Sequence, residues 1–160
     1  MYEDIELWYP YYRLKEEGAD VKLIGPGSEE KVDYKGKNGY PATSDTNAKN
    51  VKAEQIDAII VPGGFAPDFL RRYDDIIDLV KNVYKNNKLI AAICHGPSVL
   101  VSADILKGKK VTSFMAIKQD VINAGATYVD EEVVRDGTII TSRKPADLPA
   151  FCKKIIEALK

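Results

Sequence analysis

Short apolar runs alternate with amphipathic stretches along most of this chain. Between residues 5 and 17, apolar side chains recur at helical spacing, and Gly18 follows as a stop signal. The same spacing predicts four later helices, over residues 67–86, 97–106, 117–124 and 146–160. Short runs of apolar and β-branched residues predict strands at 20–24, 58–62, 89–93, 110–114 and 127–129.

Two hairpins complete the predicted elements. One lies around Gly39 in the polar segment 25–55, and the other spans 133–141 with Asp136 and Gly137 as its turn. Short strands that alternate with helices predict one α/β domain over residues 1–160, with a mostly parallel sheet covered by helices on both faces. A doubly wound fold begins with a strand, whereas this chain begins almost at once with a helix. The pattern therefore predicts a sheet that lacks one strand.

The candidate chemistry lies where two predicted strands end, which is where parallel sheets hold their active sites. Cys94 and His95 follow the strand 89–93 directly, and the helix after them begins near Pro97. A nucleophile on such a strand-to-helix turn is exposed to free N–H groups, which would lower the pKa of the thiol. The alternative is a small buried cysteine. His95 is a candidate general base or, alternatively, a surface or interface histidine.

Other residues carry weaker signals. Gly64 ends the strand 58–62 and could offer a backbone N–H to an oxyanion. Glu3 and Glu6 open the first helix, where carboxylates also simply complement the helix dipole. Cys152 lies on an apolar helix face and is interpreted as core packing. The aromatic residues of the first helix favour a core or a subunit interface over a ligand site; they are Trp8, Tyr9, Tyr11 and Tyr12.

Composition narrows the classes of function. The chain has 160 residues, a formal net charge of −1 and two cysteines. This balance gives no indication of nucleic-acid binding, and two distant cysteines do not form a disulfide framework. No apolar stretch approaches membrane-spanning length. We expect a cytoplasmic protein with no cofactor and no metal.

Several segments together resemble the PfpI-type intracellular cysteine proteases of the class I glutamine-amidotransferase-like superfamily. The segment 92–97 resembles the nucleophile elbow of that family, and 3–18 resembles its opening helix. Residues 57–68, 122–126 and 141–148 are similar to further family segments, in the same order along the chain. The resemblance implies a flavodoxin-like sheet.

The resemblance also implies roles. Cys94 would be the nucleophile, in a strained backbone conformation, and Glu3 would place its carboxyl group against the Cys94 sulfur. Gly64 and His95 would supply oxyanion-hole N–H groups. His95 would pair with an acidic residue of an adjacent subunit, for which Asp68 stands at the matching position. Self-association into dimers, and from dimers into hexamers, is therefore expected.

The chain departs from this family at two points. The family begins with an apolar strand of about ten residues, and none precedes Tyr2 here. We expect either a start codon placed too late, which we favour, or compensation by strand exchange. Phe114 stands where close relatives often carry tyrosine, so a hydroxyl near the cysteine is missing, which would weaken peptidase-like chemistry.

Three functions fit these residues. The first is a cysteine hydrolase of the PfpI protease or amidase type, in which Cys94 attacks a carbonyl and His95 moves the proton. The second is a glutathione-independent glyoxalase or protein deglycase acting on methylglyoxal, with Glu3 or His95 as the proton carrier. The third is a non-enzymatic stress protein or chaperone that senses oxidation through Cys94.

Overall fold

The chain folds into six α-helices and ten short strands, and this computed structural model describes all 160 residues. The helices are α1 (Asp4–Glu16), α2 (Ala66–Leu70), α3 (Asp74–Lys85), α4 (Pro97–Ser102), α5 (Lys118–Asn123) and α6 (Leu148–Leu159). The strands are β1 (Ile24–Gly25), β2 (Asp33–Lys35), β3 (Pro41–Thr43), β4 (Thr46–Asn47), β5 (Ala58–Val61), β6 (Leu89–Ile93), β7 (Lys110–Val111), β8 (Thr127–Tyr128), β9 (Val133–Asp136) and β10 (Ile139–Ser142).

The central sheet has four strands in the order β5-β6-β10-β9. The first three run parallel, and β9 joins β10 as an antiparallel hairpin. Every residue of β6 is buried, as expected for a parallel strand that is covered on both faces. The sequence prediction of a mostly parallel sheet in an α/β domain is confirmed.

Helices pack on both faces of this sheet. On one face, α3 and α4 contribute Val80, Val83 and Leu100 to the larger apolar cluster. On the other face, α1 and α6 pack around Phe151, which is fully buried. Cys152 is 2% exposed within that second cluster, which confirms its interpretation as core packing. Burial of these side chains is the main favourable contribution to folding, at about 25 cal/mol per Å² of apolar surface.

Some predicted elements are shorter than expected. The predicted helix 67–86 is two helices, because the chain between α2 and α3 turns extended at Tyr73 (φ −107°) and a new helix begins at Asp74. The predicted helix 97–106 ends at Ser102, since Asp104 adopts a positive φ of 54°. The predicted strand 110–114 keeps only β7, because the Phe114 N–H bonds the Cys94 carbonyl at 3.0 Å.

An open groove separates β5 from β1. β5 pairs only with β6, and β1 pairs only with β4, so each has one strand edge without a partner strand. The predicted strand 20–24 forms a ladder only at Ile24 and Gly25. Residues of both edges line this groove.

Candidate active site

Cys94 lies at a sharp turn between β6 and α4. Its φ of 63° is in the left-handed region, which is unusual for a residue with a side chain. The Cys94 N–H donates to the Ser142 carbonyl at 3.0 Å, and its own carbonyl accepts from Phe114, so neighbouring strands hold this conformation. Gly96 completes the turn, since a Cβ there would lie 2.5 Å from the Val61 carbonyl oxygen. The backbone of Cys94 thus has the sharp strand-to-helix turn that the sequence predicts.

Two backbone N–H groups point at the Cys94 sulfur, those of Gly64 and His95. Gly64 has a φ of 77° and forms an antiparallel bridge with Tyr2, and a Cβ on Gly64 would lie 2.5 Å from the Glu3 nitrogen. The start of the chain therefore holds this loop in place. The two N–H groups are those for which the family resemblance implies an oxyanion hole, and both lie against the same sulfur.

Glu6 is the acidic group beside the sulfur. Its side chain is fully buried, and Oε2 accepts a hydrogen bond from the Gly63 N–H at 2.8 Å. A Cβ on Gly63 would lie 2.5 Å from Glu6 Oε2 and 3.0 Å from Cys94 Sγ, so the carboxyl and the thiol flank the same glycine. Burial raises the pKa of Glu6 from 4.5 to about 7, and the charge of Glu3 contributes in the same direction.

The placement of Glu3 corrects the expectation from the resemblance. Its carboxylate pairs with Lys37 Nζ at 3.2 Å, and the structure places Glu6, rather than Glu3, against the sulfur. The reason is helical geometry, because Glu3 precedes α1 whereas Glu6 lies one turn inside it. A signal was present in the sequence: Glu6 shares an i, i+4 spacing with Pro10 and Leu14, both on the buried face of α1.

The thiol of Cys94 is harder to ionise than the sequence suggested. Burial raises the pKa of Cys94 to about 11, and the negative charge of Glu6 adds to this, while the N–H groups of Gly64 and His95 oppose it. The expected lowering of the pKa is therefore wrong, because burial beside a carboxylate outweighs the field of the short helix α4. Thiolate formation then depends on a nearby group that takes the proton.

His95 reaches Cys94 although the two residues are adjacent. Its Nδ1 lies 3.4 Å from Cys94 Sγ, because the positive φ of Cys94 folds both side chains to one side. Burial lowers the pKa of His95. Its ring packs against Phe114 with centroids 5.2 Å apart, and within this chain Nε2 has no hydrogen-bond partner.

Asp68 lies away from His95 within the chain. It is an exposed residue of α2, and its carboxylate pairs with Arg72. Phe65 and Phe69 flank it and are also exposed, at 55% and 50%.

On α1, the ring of Trp8 contacts the rings of Tyr11, Tyr12 and Tyr40 at the surface. The aromatic residues of α1 are thus not core, and of the two expectations for them the interface remains.

No group of three or more histidine, cysteine or acidic side chains is arranged to hold a metal ion. No helix is long and apolar enough to cross a membrane.

Comparison with known proteins places residues 1–158 in one family model, described as the DJ-1/PfpI family. A Pyrococcus horikoshii protein named deglycase PH1704 is 43% identical over 159 residues, which are 99% of this chain and 94% of that protein. The Bacillus subtilis protein YraA, whose name proposes a cysteine protease, is 42% identical over 99% of this chain and 93% of its own.

A solved structure agrees with these relatives. It is a two-domain protein of Anabaena variabilis with a DJ-1/ThiJ/PfpI-like and a ferritin-like domain. It has a TM-score of 0.94 and 43% identity, with 99% of this chain and 45% of that chain covered. The chain belongs to the DJ-1/PfpI family, and the predicted resemblance and flavodoxin-like fold are confirmed.

Proposed function

We propose that this DJ-1/PfpI protein converts small α-oxoaldehydes such as methylglyoxal, and their early adducts with amines, through covalent attack by Cys94. This is the glyoxalase or deglycase function among the three that the sequence predicts. The observation that carries it is the buried Glu6 carboxyl group beside a buried thiol, opposite two N–H groups. Relatives named deglycase support the same proposal.

The first step forms a bond from Cys94 Sγ to the aldehyde carbon. The thiol proton passes to the Glu6 carboxylate, and the oxygen of the former carbonyl is held by the N–H groups of Gly64 and His95. The proton then passes from Glu6 to this oxygen, so the product is a neutral hemithioacetal and Glu6 is again a carboxylate. With an amine adduct as substrate, the same carbon is attacked and the amine leaves with a proton.

The second step moves a proton between the two carbons. Glu6 or His95 takes the proton from the carbon that bears sulfur, and the neighbouring carbonyl carbon receives one, which gives a thioester of lactate. Water then cleaves the thioester and restores the thiol. Methylglyoxal and one water thus become lactate, without oxidation or reduction. A pKa of about 7 allows Glu6 both to remove the proton from one carbon and to deliver a proton to the other at neutral pH.

The exposure of the site supports a small substrate. Cys94 is only 9% exposed, His95 Nδ1 lies 3.4 Å from its sulfur, and the partly buried Phe114 packs against the same apolar cluster. A three-carbon aldehyde needs less space around the sulfur than an extended peptide does.

Lactate formation tests the proposal. The purified protein is given methylglyoxal without glutathione, and lactate is measured enzymatically, beside hydrolysis of a fluorogenic peptide. We expect lactate from the wild type and none from Cys94→Ala, whereas Cys152→Ala keeps its activity. Peptide hydrolysis without lactate would contradict the proposal and support the protease function instead.

The peptidase or amidase function is the second candidate. It is favoured by the 3.4 Å approach of His95 Nδ1 to Cys94 Sγ, which is the geometry of a cysteine and a general base. A base of this kind needs a second group that orients the imidazole. Since Nε2 has no partner in the chain, this function depends on a group from outside it.

We propose Asp68 of a second copy as that group, in a dimer or a higher oligomer. The support is indirect: Asp68 is exposed on α2, Phe65 and Phe69 nearby in the chain are exposed as well, and α1 also exposes aromatic side chains. Such apolar surface is typical of protein interfaces.

Mixed oligomers test the proposed pairing. Cys94→Ala and Asp68→Asn are each expected to lower peptide hydrolysis strongly. When the two variants are refolded together, a mixed dimer contains one intact Cys94 that faces one intact Asp68, and activity returns. No recovery, with mixed dimers shown by mass spectrometry, would contradict the role of Asp68.

A further inference from the structure

The turn 36–40 joins β2 to β3 and is fastened to the start of α1. The Asp4 carboxylate accepts hydrogen bonds from the backbone N–H groups of Asn38 and Tyr40, at 2.8 Å and 3.0 Å. It also accepts from the side-chain amide of Asn38 at 3.1 Å. Asp4 is 8% exposed, so these bonds are shielded from water and hold the turn against the helix.

Two further contacts fix the position of this turn. A Cβ on Gly36 would overlap the Asp4 carboxylate, so the backbone of the turn lies directly on that side chain. The Tyr2 C=O accepts from the Lys37 N–H at 2.8 Å, and the Tyr2 O–H donates to the Tyr40 C=O at 2.6 Å. The backbone of Lys37 is therefore held from two sides.

This docking brings the ammonium group of Lys37 to the acidic start of α1. Its Nζ lies 3.2 Å from Glu3 Oε2. The Glu3 side chain is only 15% exposed, whereas that of Lys37 is 52% exposed. Lys37 thus pairs from the solvent side with a carboxylate that lies mostly inside the protein.

The charged and titratable groups that face Glu6 come from three parts of the fold. Glu3 lies at the start of α1, Cys94 lies at the turn after β6, and Lys37 reaches in from the turn 36–40, while Gly63 contributes only its N–H. Burial is the main cause of the raised pKa of Glu6; the charge of Glu3 adds to it and that of Lys37 opposes it.

We propose that Lys37 is a positioning residue of the active site, whose ammonium group compensates the charge of Glu3 and so lets Glu6 act as a carboxylate at neutral pH. The inference rests on the proposed function, in which Glu6 takes the proton of Cys94. Without Lys37, Glu3 and Glu6 would be two uncompensated carboxylates in a poorly solvated place, and like charges disfavour the ionisation of one of them.

The pH dependence of kcat/KM for lactate formation tests this role. The wild-type value should rise as Glu6 loses its proton, near its pKa of about 7. We expect Lys37→Met to move this rise to higher pH by about 0.5–1 unit, because it removes a cation that favours the charged form. Lys37→Arg keeps the charge and should keep the wild-type profile. Lys35→Met is the matched control, since Lys35 is an exposed cation of the same hairpin, outside the turn.

A second variant displaces the turn without changing any charge. Gly36→Ala places a Cβ against the Asp4 carboxylate, which should move Lys37 away from Glu3. We expect its profile to shift in the same direction as that of Lys37→Met. The double variant should shift no further than Lys37→Met alone, because both changes remove the same interaction.

Urea unfolding at a series of pH values gives a readout that does not depend on catalysis. In Lys37→Met, the decline in the free energy of unfolding that Glu6 causes should extend about 0.5–1 pH unit higher than in the wild type. If the wild type forms no lactate but this extension is found, the proposed function fails and the action of Lys37 on Glu6 stands.

Three results would overturn the proposal. They are wild-type pH dependence of both kcat/KM and unfolding in Lys37→Met, an equal shift in Lys35→Met, and a profile of Lys37→Arg that matches Lys37→Met.

Discussion

The free energy of unfolding of the wild type is expected to decrease between acidic and neutral pH, and replacing Glu6 by glutamine is expected to abolish this decrease. Glu6 is fully buried, and its pKa is raised from 4.5 to about 7 in the folded protein. The folded state therefore holds a proton that the unfolded chain has already released in this pH range. Since stability falls with pH wherever the folded state binds more protons, the free energy of unfolding decreases from about pH 4.5 and levels off above the folded pKa.

The magnitude follows from the two pKa values. At 1.36 kcal/mol per pKa unit, a rise from 4.5 to about 7 corresponds to about 3 kcal/mol. Glutamine has nearly the same shape, carries no charge and still accepts from the Gly63 N–H. Between pH 4.5 and pH 8, the free energy of unfolding of Glu6→Gln should thus rise by about 3 kcal/mol relative to that of the wild type.

Urea unfolding at a series of pH values measures this difference. Glu3→Gln is the matched control, because Glu3 is also a carboxylate at the start of α1 but pairs with Lys37 at the surface. The control is expected to keep most of the wild-type decline in stability, because burial is the largest cause of the raised Glu6 pKa and the charge of Glu3 is a smaller one. If Glu6→Gln keeps it as well, the raised pKa of Glu6 is wrong, and so is its use as a proton carrier.

Three more predictions concern Gly63, Cys94 and Phe114. Gly63→Ala should lower both Tm and lactate formation, since its Cβ would lie 2.5 Å from Glu6 Oε2; thermal unfolding and the lactate assay check this, and wild-type values for both would contradict it. The rate at which iodoacetamide labels Cys94 should keep increasing well above neutral pH, because burial raises the pKa of this thiol to about 11. Mass spectrometry should find Cys152, which is 2% exposed, unlabelled. A labelling rate that levels off near pH 7 would contradict the raised pKa of Cys94. Phe114→Tyr should increase peptide hydrolysis at unchanged Tm, since the Phe114 ring packs against the His95 ring and the substitution restores the hydroxyl that close relatives often carry. An unchanged hydrolysis rate would show that the missing hydroxyl does not limit that chemistry.

The elbow could be predicted from sequence because its signals are local. An apolar run followed by Cys94, His95, a glycine and Pro97 specifies a buried strand, a sharp turn and a helix start within ten residues. Gly64 was predictable for the same reason, as the end of a buried strand.

The acidic partner of Cys94 was not predicted, although the spacing that Glu6 shares with Pro10 and Leu14 indicates the buried face of α1. Whether Glu3 or Glu6 faces the sulfur depends on how α1 docks against Gly63, almost sixty residues later, and single-residue propensities carry no information on that contact. The predicted lowering of the Cys94 pKa was wrong for a related reason. A sequence shows the helix that follows a cysteine, but not the depth of burial or the carboxylate beside it.

The catalytic turnover of Glu6→Gln, compared with that of Glu3→Gln, tests the central claim most directly. The claim is that the Cys94 proton passes to Glu6. If it does, Glu6→Gln lowers kcat for lactate formation by about 10²–10⁴-fold, the usual contribution of a positioned acid or base, and Glu3→Gln changes it less than about threefold. An equal or larger loss in Glu3→Gln would contradict the claim and return the role to the residue that the sequence first indicated.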